Sequence, residues 1–511
     1  MGLTMGNDRS LLMLRGLIGG VLAGLGLCLS GPWWMLPALA LLWSIVRSPL
    51  AASLWAGLAV AISHRWLIAL HPLTWLGVPA PLSLPLAVGV WLVCVLAAAL
   101  LVAAWSCLAR WLPGRCGIRQ ALVLSLVWGL SETLLARGPL FWIGVGGSAL
   151  PGDRWLAGLA GWFGAGGLAT IQLLLGWWLW QLWSVARSEP GQRWRLLRWG
   201  VLALVVVHGL GVVALIGSVD RRTDHSEASL PVALWQTAIP TREKFSDRRQ
   251  AELPERLRQV MDSAQSGGAE LLIAPEGTLP LKFPFAEDRG IPLISGGFRF
   301  VGGQQRSSLL LLASSRQGTS SSIDKHRLVP LGEWMPSWPA LAGLSAVGGL
   351  QPGEPSRFWR WGGPPAAVAI CYEISNGSAL AAAVADGAQW ILAAANLDPY
   401  PLLLQRQFLA LAQLRSLETA RPLLSVANTG PTALIADRGV VEAQLPAMRP
   451  GLLPVQLDPQ QGRTLYVLWR DWPLWVLLLV AVVSLWIRPR PGSGLRPARI
   501  RLRKTPPPVQ G

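Results

Sequence analysis

Histidine and cysteine are scarce in this 511-residue chain, and their positions limit the chemistry that it can perform. Only His225 and His326 lie in the segment 225–468, so a multi-histidine metal site is excluded there and a Cys–His dyad has little support. Cys371 is the single cysteine of that segment, which excludes a disulfide framework. An isolated thiol is either buried and inert or used for chemistry.

Charged residues are also few. They make up 14% of the chain against 52% hydrophobic residues, and the mean hydropathy is +0.42. A chain this apolar is expected to cross a membrane several times. The apolar residues are concentrated in 10–218 and 472–487, whereas 225–468 has the composition of an ordinary soluble domain.

Stretches of about 20 apolar residues predict seven membrane spans before the polar segment and an eighth after it. They lie near residues 10–29, 32–47, 50–70, 83–108, 118–136, 156–186, 197–218 and 472–487. The chain is therefore divided into an N-terminal membrane region, a polar domain, a C-terminal span and a basic, proline-rich tail that is predicted to be disordered. The boundaries of these four parts are 1–222, 223–468, 469–489 and 490–511.

Arginine in the short loops predicts the orientation of these spans. Arginines flank the loops near 110–119 and 187–198 and fill the tail, whereas the loop 71–82 has neither lysine nor arginine. The arginine-rich side is expected to be cytoplasmic, which places the polar domain on the extracytoplasmic side. The same arginines account for the net charge of +17, so this charge does not indicate a nucleic-acid partner.

Strand-like and helical patterns alternate in the polar segment. Helices are predicted from Ser246, a candidate N-cap, to about Ser266, and over about 401–420. The strand-like runs are VALWQTAI, ELLIA, IPLISGGF, SLLLLAS, AAVAIC, QWILAAAN, LLSVAN and TALIAD. This alternation predicts an α/β domain with covered sheets.

Three reactive side chains stand at strand ends or in loops of this domain. Glu276 follows the run LLIA, Lys325 lies in SSIDKHRLVPLGEW, and Cys371 ends the run AAVAI. An acid, an amine and a thiol are the groups that acyl transfer through a thioester needs. Glu276 could take the thiol proton and return it, and Lys325 could stabilise the thiolate and an oxyanion. The alternative is a thiol used for packing and two surface charges.

Lysine usage supports a special role for Lys325. Only four of the 44 basic residues are lysines, so a lysine at this position indicates a function that arginine cannot serve. Glu333, eight positions later, could orient Lys325 or contact an amine of the substrate, or it could be a solvated loop acid. Glu373 disfavours the thiolate, so Cys371 needs a base or a compensating cation. We find neither a phosphate-binding glycine loop nor a dinucleotide fingerprint, and expect no cofactor and no metal.

The ordered motifs APEG, DKHRLVPLGEW and CYE resemble the Glu-Lys-Cys triad of the nitrilase, or carbon-nitrogen hydrolase, superfamily. Their insertion between seven preceding spans and one following span resembles the bacterial apolipoprotein N-acyltransferase family. The resemblance covers essentially the whole chain. It implies a polytopic α-helical membrane protein of about eight spans with an inserted α/β domain, a four-layer α-β-β-α sandwich.

The resemblance also implies the roles of the site residues. Glu276 would be the general base, Lys325 the oxyanion stabiliser and Cys371 the nucleophile, and Glu333 and Glu373 match the family's two supporting acids. The implied reaction is ping-pong. Cys371 takes a fatty acyl chain from a membrane phospholipid and passes it to the α-amino group of the S-diacylglyceryl cysteine of an apolipoprotein. A monomeric, multi-pass protein of the bacterial inner membrane is expected.

Two loops depart from the family's pattern. Phe245 stands where the family usually has a tryptophan, and Asn396-Leu397-Asp398-Pro399-Tyr400 replaces the usual Asn-Asp followed by an aromatic residue. Three other functions stay open. The chain could be a membrane-tethered amidase or nitrilase, or an inactive homologue that binds lipoproteins. The third possibility is a transporter, which has little support because the predicted spans contain few paired charges.

Overall fold

The structure is a computed structural model that describes most of the chain. The described residues are 2–29, 31–74, 78–113, 117–138, 140–185, 190–217, 229–244, 246–281, 283, 290–313, 320–330, 332–334, 349–398 and 400–487. Phe245, Pro399, His225 and the basic tail, about which the sequence makes predictions, lie outside the described residues.

Each of the eight apolar segments contains a helix. Before the polar domain the helices are α1 (Gly2–Leu29), α2 (Pro32–Ser44), α3 (Pro49–Ser63), α4 (Ala80–Trp111), α5 (Ile118–Arg137), α6 (Gly144–Gly147), α7 (Arg154–Ala157), α8 (Ala160–Val185) and α9 (Pro190–Ile216). Among the described residues, four helices are long and apolar enough to cross a membrane, over Arg9–Leu29, Ala80–Trp111, Ile118–Arg137 and Arg193–Ile216.

The other apolar segments are shorter or interrupted. The expected span at 50–70 is wrong in its second half, because α3 ends at Ser63 and a 3-10 turn follows over Arg65–Leu70. The long segment 156–186 is broken at Gly164, whose φ of 66° only glycine adopts readily. A Cβ atom at Gly164 would lie 2.3 Å from the ring of Tyr466.

The polar domain contains two six-stranded sheets. The strands are β1 (Leu230–Gln236), β2 (Leu271–Ile273), β3 (Leu293–Val301), β4 (Gln304–Leu312), β5 (Ser321–Asp324), β6 (Phe358–Trp359), β7 (Ala366–Ile370), β8 (Trp390–Ala395), β9 (Leu423–Ala427), β10 (Ala433–Ile435), β11 (Val441–Gln444) and β12 (Gly451–Leu457). The strand order is β12-β1-β2-β3-β4-β5 in one sheet and β11-β10-β9-β8-β7-β6 in the other. Strands β1, β2 and β3 are parallel to one another, as are β7, β8 and β9.

The two sheets face each other, and helices cover their outer faces. The remaining helices are α10 (Asp247–Ser266), α11 (Gly377–Ala385), α12 (Leu402–Thr419), α13 (Leu465–Trp469) and α14 (Trp472–Trp486). Val232 and Leu234 of β1 point into the layer between the sheets, whereas Ala233 and Trp235 contact the α10 side. The predicted helix with Ser246 as its N-cap is confirmed, since Ser246 Oγ accepts from the backbone N–H of Arg249. The four-layer α-β-β-α arrangement is therefore present.

Helix α12 joins the second sheet to the apolar helices. Its residues Phe408 and Leu411 belong to the same buried cluster as Leu27 and Trp55 of α1 and α3. The Gln407 side chain donates to the backbone carbonyls of Leu27 and Ser63, at 3.2 and 3.1 Å. The domain is therefore seated directly on the helix bundle, and the ends of β7 and β8 lie close to that contact.

Candidate active site

Cys371 begins a sharp turn at the carboxyl end of β7. The strand is fully buried, and a 3-10 turn over Cys371–Ser375 follows it at once. Cys371 has a φ of 57°, which is rare for a residue with a side chain and is stored strain of the type found at functional sites. This conformation turns the thiol out of the sheet into a cavity.

Glu276 belongs to the sheet that faces the one carrying Cys371. Strands β1, β2 and β3 of this sheet are parallel, so their carboxyl ends lie at one edge, and Glu276 stands at that edge. It follows β2 after a two-residue link, and only 7% of the residue is exposed. Its Oε2 atom accepts from the backbone N–H of Asn396, 3.0 Å away at the end of β8. Its backbone carbonyl accepts from Lys244 Nζ at 2.8 Å, so both the main chain and the side chain of Glu276 are held.

Lys325 directly follows β5, and its ammonium group lies between two carboxylates. Nζ is 2.7 Å from Glu276 Oε1 and 2.8 Å from Glu333 Oε1, and 1% of the side chain is exposed. Burial alone would lower the pKa of Lys325, but the charges of Glu276 and Glu333 outweigh it and raise this pKa well above its ordinary value. Lys325 is therefore a fixed positive charge.

Glu333 is held in this position by its own loop. Its Oε2 atom accepts from the backbone N–H of Val329 at 2.9 Å, while Oε1 contacts Lys325. Burial raises the pKa of Glu333 above its ordinary value, against the opposing effect of Lys325. The structure thus brings Glu276, Lys325 and Glu333 together, and Glu333 is not a solvated loop acid.

Glu373 lies behind the thiol and joins the Lys325 loop to the Cys371 turn. Its Oε1 atom accepts from the backbone N–H groups of His326 and Arg327, and its Oε2 atom accepts from that of Ile370, at 2.8 to 2.9 Å. Arg357, which is also buried, donates to Glu373 Oε2 at 3.1 Å and to the carbonyl of Asp324 at 3.0 Å. These bonds fix the residues on either side of Lys325 relative to Cys371.

The resting thiol is protonated. Burial raises the pKa of Cys371 far above its ordinary value, and the nearby carboxylates Glu276 and Glu333 raise it further, while Lys325 has the opposite effect. A thiol in this state becomes a nucleophile when a neighbouring base removes its proton as it attacks. Glu276 and Glu333 are the carboxylates whose charges raise the pKa of Cys371.

An apolar cavity of about 570 Å³ begins at Cys371 and extends to the apolar helices. We call it the thiol cavity. Its lining includes Tyr372, Leu397 and Tyr400 from the domain, Val90 and Cys94 from α4, and Trp66 and Phe141. Among the described residues, no group of three His, Cys, Asp or Glu side chains is placed to hold a metal ion.

Comparison with known proteins decides the family. The chain is 57% identical over 491 residues to the apolipoprotein N-acyltransferase of Prochlorococcus marinus (strain MIT 9313), which covers 94% of this chain and 97% of that protein. It belongs to the apolipoprotein N-acyltransferase family. The protein of the same name from Parasynechococcus marenigrum is 54% identical over 468 residues, or 90% of this chain and 98% of that one.

Two further comparisons concern the polar domain of this N-acyltransferase family member. The carbon-nitrogen hydrolase family model matches residues 283–466, a range that contains Lys325, Glu333, Cys371 and Glu373 but begins after Glu276. Among solved structures, an amidase from Nesterenkonia sp. AN1 matches 48% of this chain and 98% of its own, with 20% identity and a TM-score of 0.37.

The loop after β8 is hydrogen-bonded to the loop after β1. Asp398 Oδ2 accepts from the backbone N–H of Thr241 at 2.7 Å, and its carbonyl accepts from Thr241 Oγ1 at 3.0 Å. Leu397 and Tyr400 line the thiol cavity. Hydrogen bonds therefore connect two loops at the site.

Several residues at the site are absent from the sequence-based prediction. Lys244 supports the backbone of Glu276, and burial lowers its pKa to about 8 despite the opposing charges of Glu276 and Asp398. Arg327 donates to the Ala136 carbonyl at the end of α5, and its guanidinium lies 4.8 Å from the ring of Tyr372. The scarcity of lysine could have indicated Lys244, whereas no comparable signal marks Arg327 or Arg357.

Proposed function

We propose that this chain is a membrane-embedded N-acyltransferase of lipoprotein maturation. It moves a fatty acyl chain from a phospholipid, through a thioester on Cys371, to the α-amino group of the N-terminal S-diacylglyceryl cysteine of apolipoproteins. Membership in the apolipoprotein N-acyltransferase family supports this activity. Glu276, Lys325 and Cys371 are the proposed catalytic residues, and Glu333 and Glu373 are the proposed supporting acids.

The observation that carries this proposal is the apolar cavity at the thiol. A small polar amide would find few partners among the aliphatic and aromatic side chains that line it, whereas a fatty chain fits such walls. Six lining residues belong to α4, one of the helices that are long enough to cross a membrane: Leu86, Ala87, Gly89, Val90, Val93 and Cys94. A phospholipid can therefore present its ester to Cys371 while its chain stays in apolar surroundings.

The first half-reaction forms the thioester. Glu276 takes the thiol proton as the sulfur attacks the ester carbonyl of the phospholipid. The carbonyl oxygen becomes an oxyanion, which the buried Lys325 ammonium stabilises in surroundings of low dielectric constant. The C–O bond then breaks, and the leaving alkoxide of the lysophospholipid receives the proton from Glu276.

The second half-reaction transfers the chain to an amine. The neutral α-amino group attacks the thioester carbonyl, and Glu276 takes one of its protons. The C–S bond breaks, and the sulfur regains a proton from Glu276. Glu333 keeps Lys325 aligned in both steps, and Glu373 holds the turn that carries the sulfur. The apolar cavity also protects the thioester from water between the two steps.

We place the site at the outer face of the bacterial inner membrane. Seven apolar segments precede the domain and one follows it, so a cytoplasmic N-terminus puts the domain on the opposite side. The lipid-anchored substrates would then meet the site at the membrane surface. We further propose that the protein acts as a monomer, because Lys325 meets both of its carboxylate partners, Glu276 and Glu333, within a single chain.

Intact-mass measurement after incubation with a defined diacyl phospholipid tests the proposed function. The wild-type protein should gain the mass of one acyl chain, and hydroxylamine, which cleaves thioesters, should remove it. Cys371→Ala should gain nothing, whereas the matched control Cys107→Ala, on the exposed side of α4, should react like the wild type. Unchanged labelling of Cys371→Ala would refute the nucleophile. Release of free fatty acid without transfer to a peptide amine would indicate a hydrolase.

A further inference from the structure

A second apolar cavity of about 360 Å³ lies among the helices beside the thiol cavity. We call it the bundle cavity. Its walls include Trp55 and Ala59 of α3, Ala98 and Leu101 of α4, and Trp128 of α5. No residue that lines it has a role in the proposed reaction.

Most of the polar side chains of the bundle cavity already form hydrogen bonds within the protein. The carboxylate of Glu132 accepts from the backbone N–H groups of Val145 and Gly146 and from the indole N–H of Trp128, at 2.7, 3.3 and 3.0 Å. Ser131 donates to the carbonyl of Val127 at 2.7 Å. The indole N–H of Trp142 has no hydrogen-bond partner among the described residues, and the rest of the wall is apolar. A predominantly apolar cavity takes up apolar ligands rather than water.

The two cavities are neighbours along α4. Cys94 lines the thiol cavity and Ala98 lines the bundle cavity, one helical turn further on. Away from α4, three aromatic rings separate the two cavities. The centre of the His64 ring is 5.9 Å from the ring centres of both Trp66, which lines the thiol cavity, and Trp142, which lines the bundle cavity.

Both cavities meet the outer apolar face of α4. Val93, which lines the thiol cavity, is 64% exposed, and Leu101, which lines the bundle cavity, is 52% exposed. Under the proposed function this face is covered by membrane lipid, so one lipid molecule can reach both cavities from the same side of the helix.

We propose that the bundle cavity binds the second acyl chain of the diacyl phospholipid donor, the chain that is not transferred. This inference rests on the proposed function and specifies how its phospholipid donor is bound. Two apolar cavities on one face of a helix, one of them ending at the nucleophile, match a ligand with two chains on one polar head. Because lipid tails are as apolar as the cavity wall, little affinity is gained by moving a chain out of the bilayer. The benefit is orientation, since a held second chain aligns the ester of the first with Cys371.

The test compares two donors that share head group and first chain, a diacyl phospholipid and its single-chain lysophospholipid, at equal mole fraction in detergent solution. Thioester formation on the full-length protein is followed by intact mass. Wild type should use the diacyl donor with a kcat/KM about tenfold higher or more. Ala98→Phe, which fills the bundle cavity, should lower the diacyl value to that of the lysophospholipid and leave the lysophospholipid value unchanged.

Ala97→Phe is the matched control, because Ala97 is the preceding residue of α4 and is exposed. It should behave like the wild type. Reaction of Ala98→Phe with the lysophospholipid shows that the variant is folded. Equal rates of wild type with both donors, or an equal loss with both donors in Ala98→Phe, would overturn the inference while the proposed function stands. Failure of wild type to form a thioester with either donor would refute the proposed function itself.

Discussion

Lys325 Nζ lies 2.7 Å from Glu276 Oε1, in a pair whose two side chains are at most 9% exposed. Such a buried pair is stable only while both partners are present, because a lone buried charge is strongly unfavourable. Glu333 contacts the same ammonium group, so Lys325 forms ion pairs with two carboxylates. We regard this three-residue arrangement, with Cys371 beside it, as the centre of the proposed mechanism.

Replacing Lys325 with arginine keeps the charge but changes its shape. A planar guanidinium cannot occupy the point between the two carboxylates that the Nζ atom occupies. The stabilisation of the oxyanion should then be lost, and thioester formation should slow by about 10²–10³-fold. The initial rate of acyl-enzyme formation measures this. Arg360→Lys, a swap at an exposed site, should keep the wild-type rate. A near-wild-type rate for Lys325→Arg would show that the exact location of the positive charge does not matter for thioester formation.

Glu276→Gln should change the thiol's reactivity and the enzyme's activity in opposite directions. The negative charge of Glu276 helps to raise the pKa of Cys371, so its removal should lower that pKa and increase the thiolate fraction at a given pH. Alkylation of Cys371 by iodoacetamide, quantified on the Cys371 peptide, should therefore be faster at neutral pH. Acyl transfer should nevertheless fall steeply, since the base is missing. Slower alkylation in the variant would contradict the proposed electrostatics.

Much of the domain could be predicted from the sequence because its strands are short apolar runs with clear ends. Cys371 and Glu276 stand at such ends, at the carboxyl ends of β7 and β2 in the two facing sheets. The sequence does not predict strand β5, because SSID is polar. This strand lies at the edge of its sheet and pairs with β4. Lys325 was therefore predicted from its residue type and motif rather than from its place in the fold.

The thiol cavity and the supports of the site could not be predicted in this way. The cavity is assembled from Trp66, Phe141 and α4 on one side and from Val329 and Tyr400 on the other, which are far apart in the chain. In the sequence Arg357 resembles any loop arginine, and only the folded structure shows its contact with Glu373. Such contacts depend on tertiary closure, which leaves no periodic pattern in the sequence.

Lys244 should make the stability of the protein depend on pH. Its pKa is about 8 in the folded protein, below the ordinary lysine value, so the unfolded chain binds more protons between about pH 8 and 10.5. Stability contributed by this group therefore rises with pH over that window. The melting temperature of wild type relative to Lys244→Met should increase from pH 8 to 10. A constant difference across this range would contradict the assignment.

Filling the thiol cavity should discriminate between donors by chain length. A Cβ atom added at Gly89, which lines this cavity, would meet nothing within 4 Å, so Gly89→Trp should place its ring in the open space. Thioester formation from a long-chain ester should fall by tenfold or more, while a short-chain ester should react as before. Gly209→Trp on α9, which has the same open surroundings, is the control. Equal effects on both esters would argue against a chain-binding cavity.

A single-turnover transfer experiment tests the proposed reaction on Cys371 most directly. Protein is first acylated with a phospholipid that carries an isotope-labelled chain, freed of excess donor, and then mixed with a synthetic peptide that begins with S-diacylglyceryl cysteine. If Cys371 carries the transferred chain, the protein should lose the label at the rate at which the peptide gains it as an amide, and Cys371→Ala should do neither. Labelled peptide formed by Cys371→Ala, or label that leaves the wild-type protein only as free fatty acid, would contradict the proposed reaction.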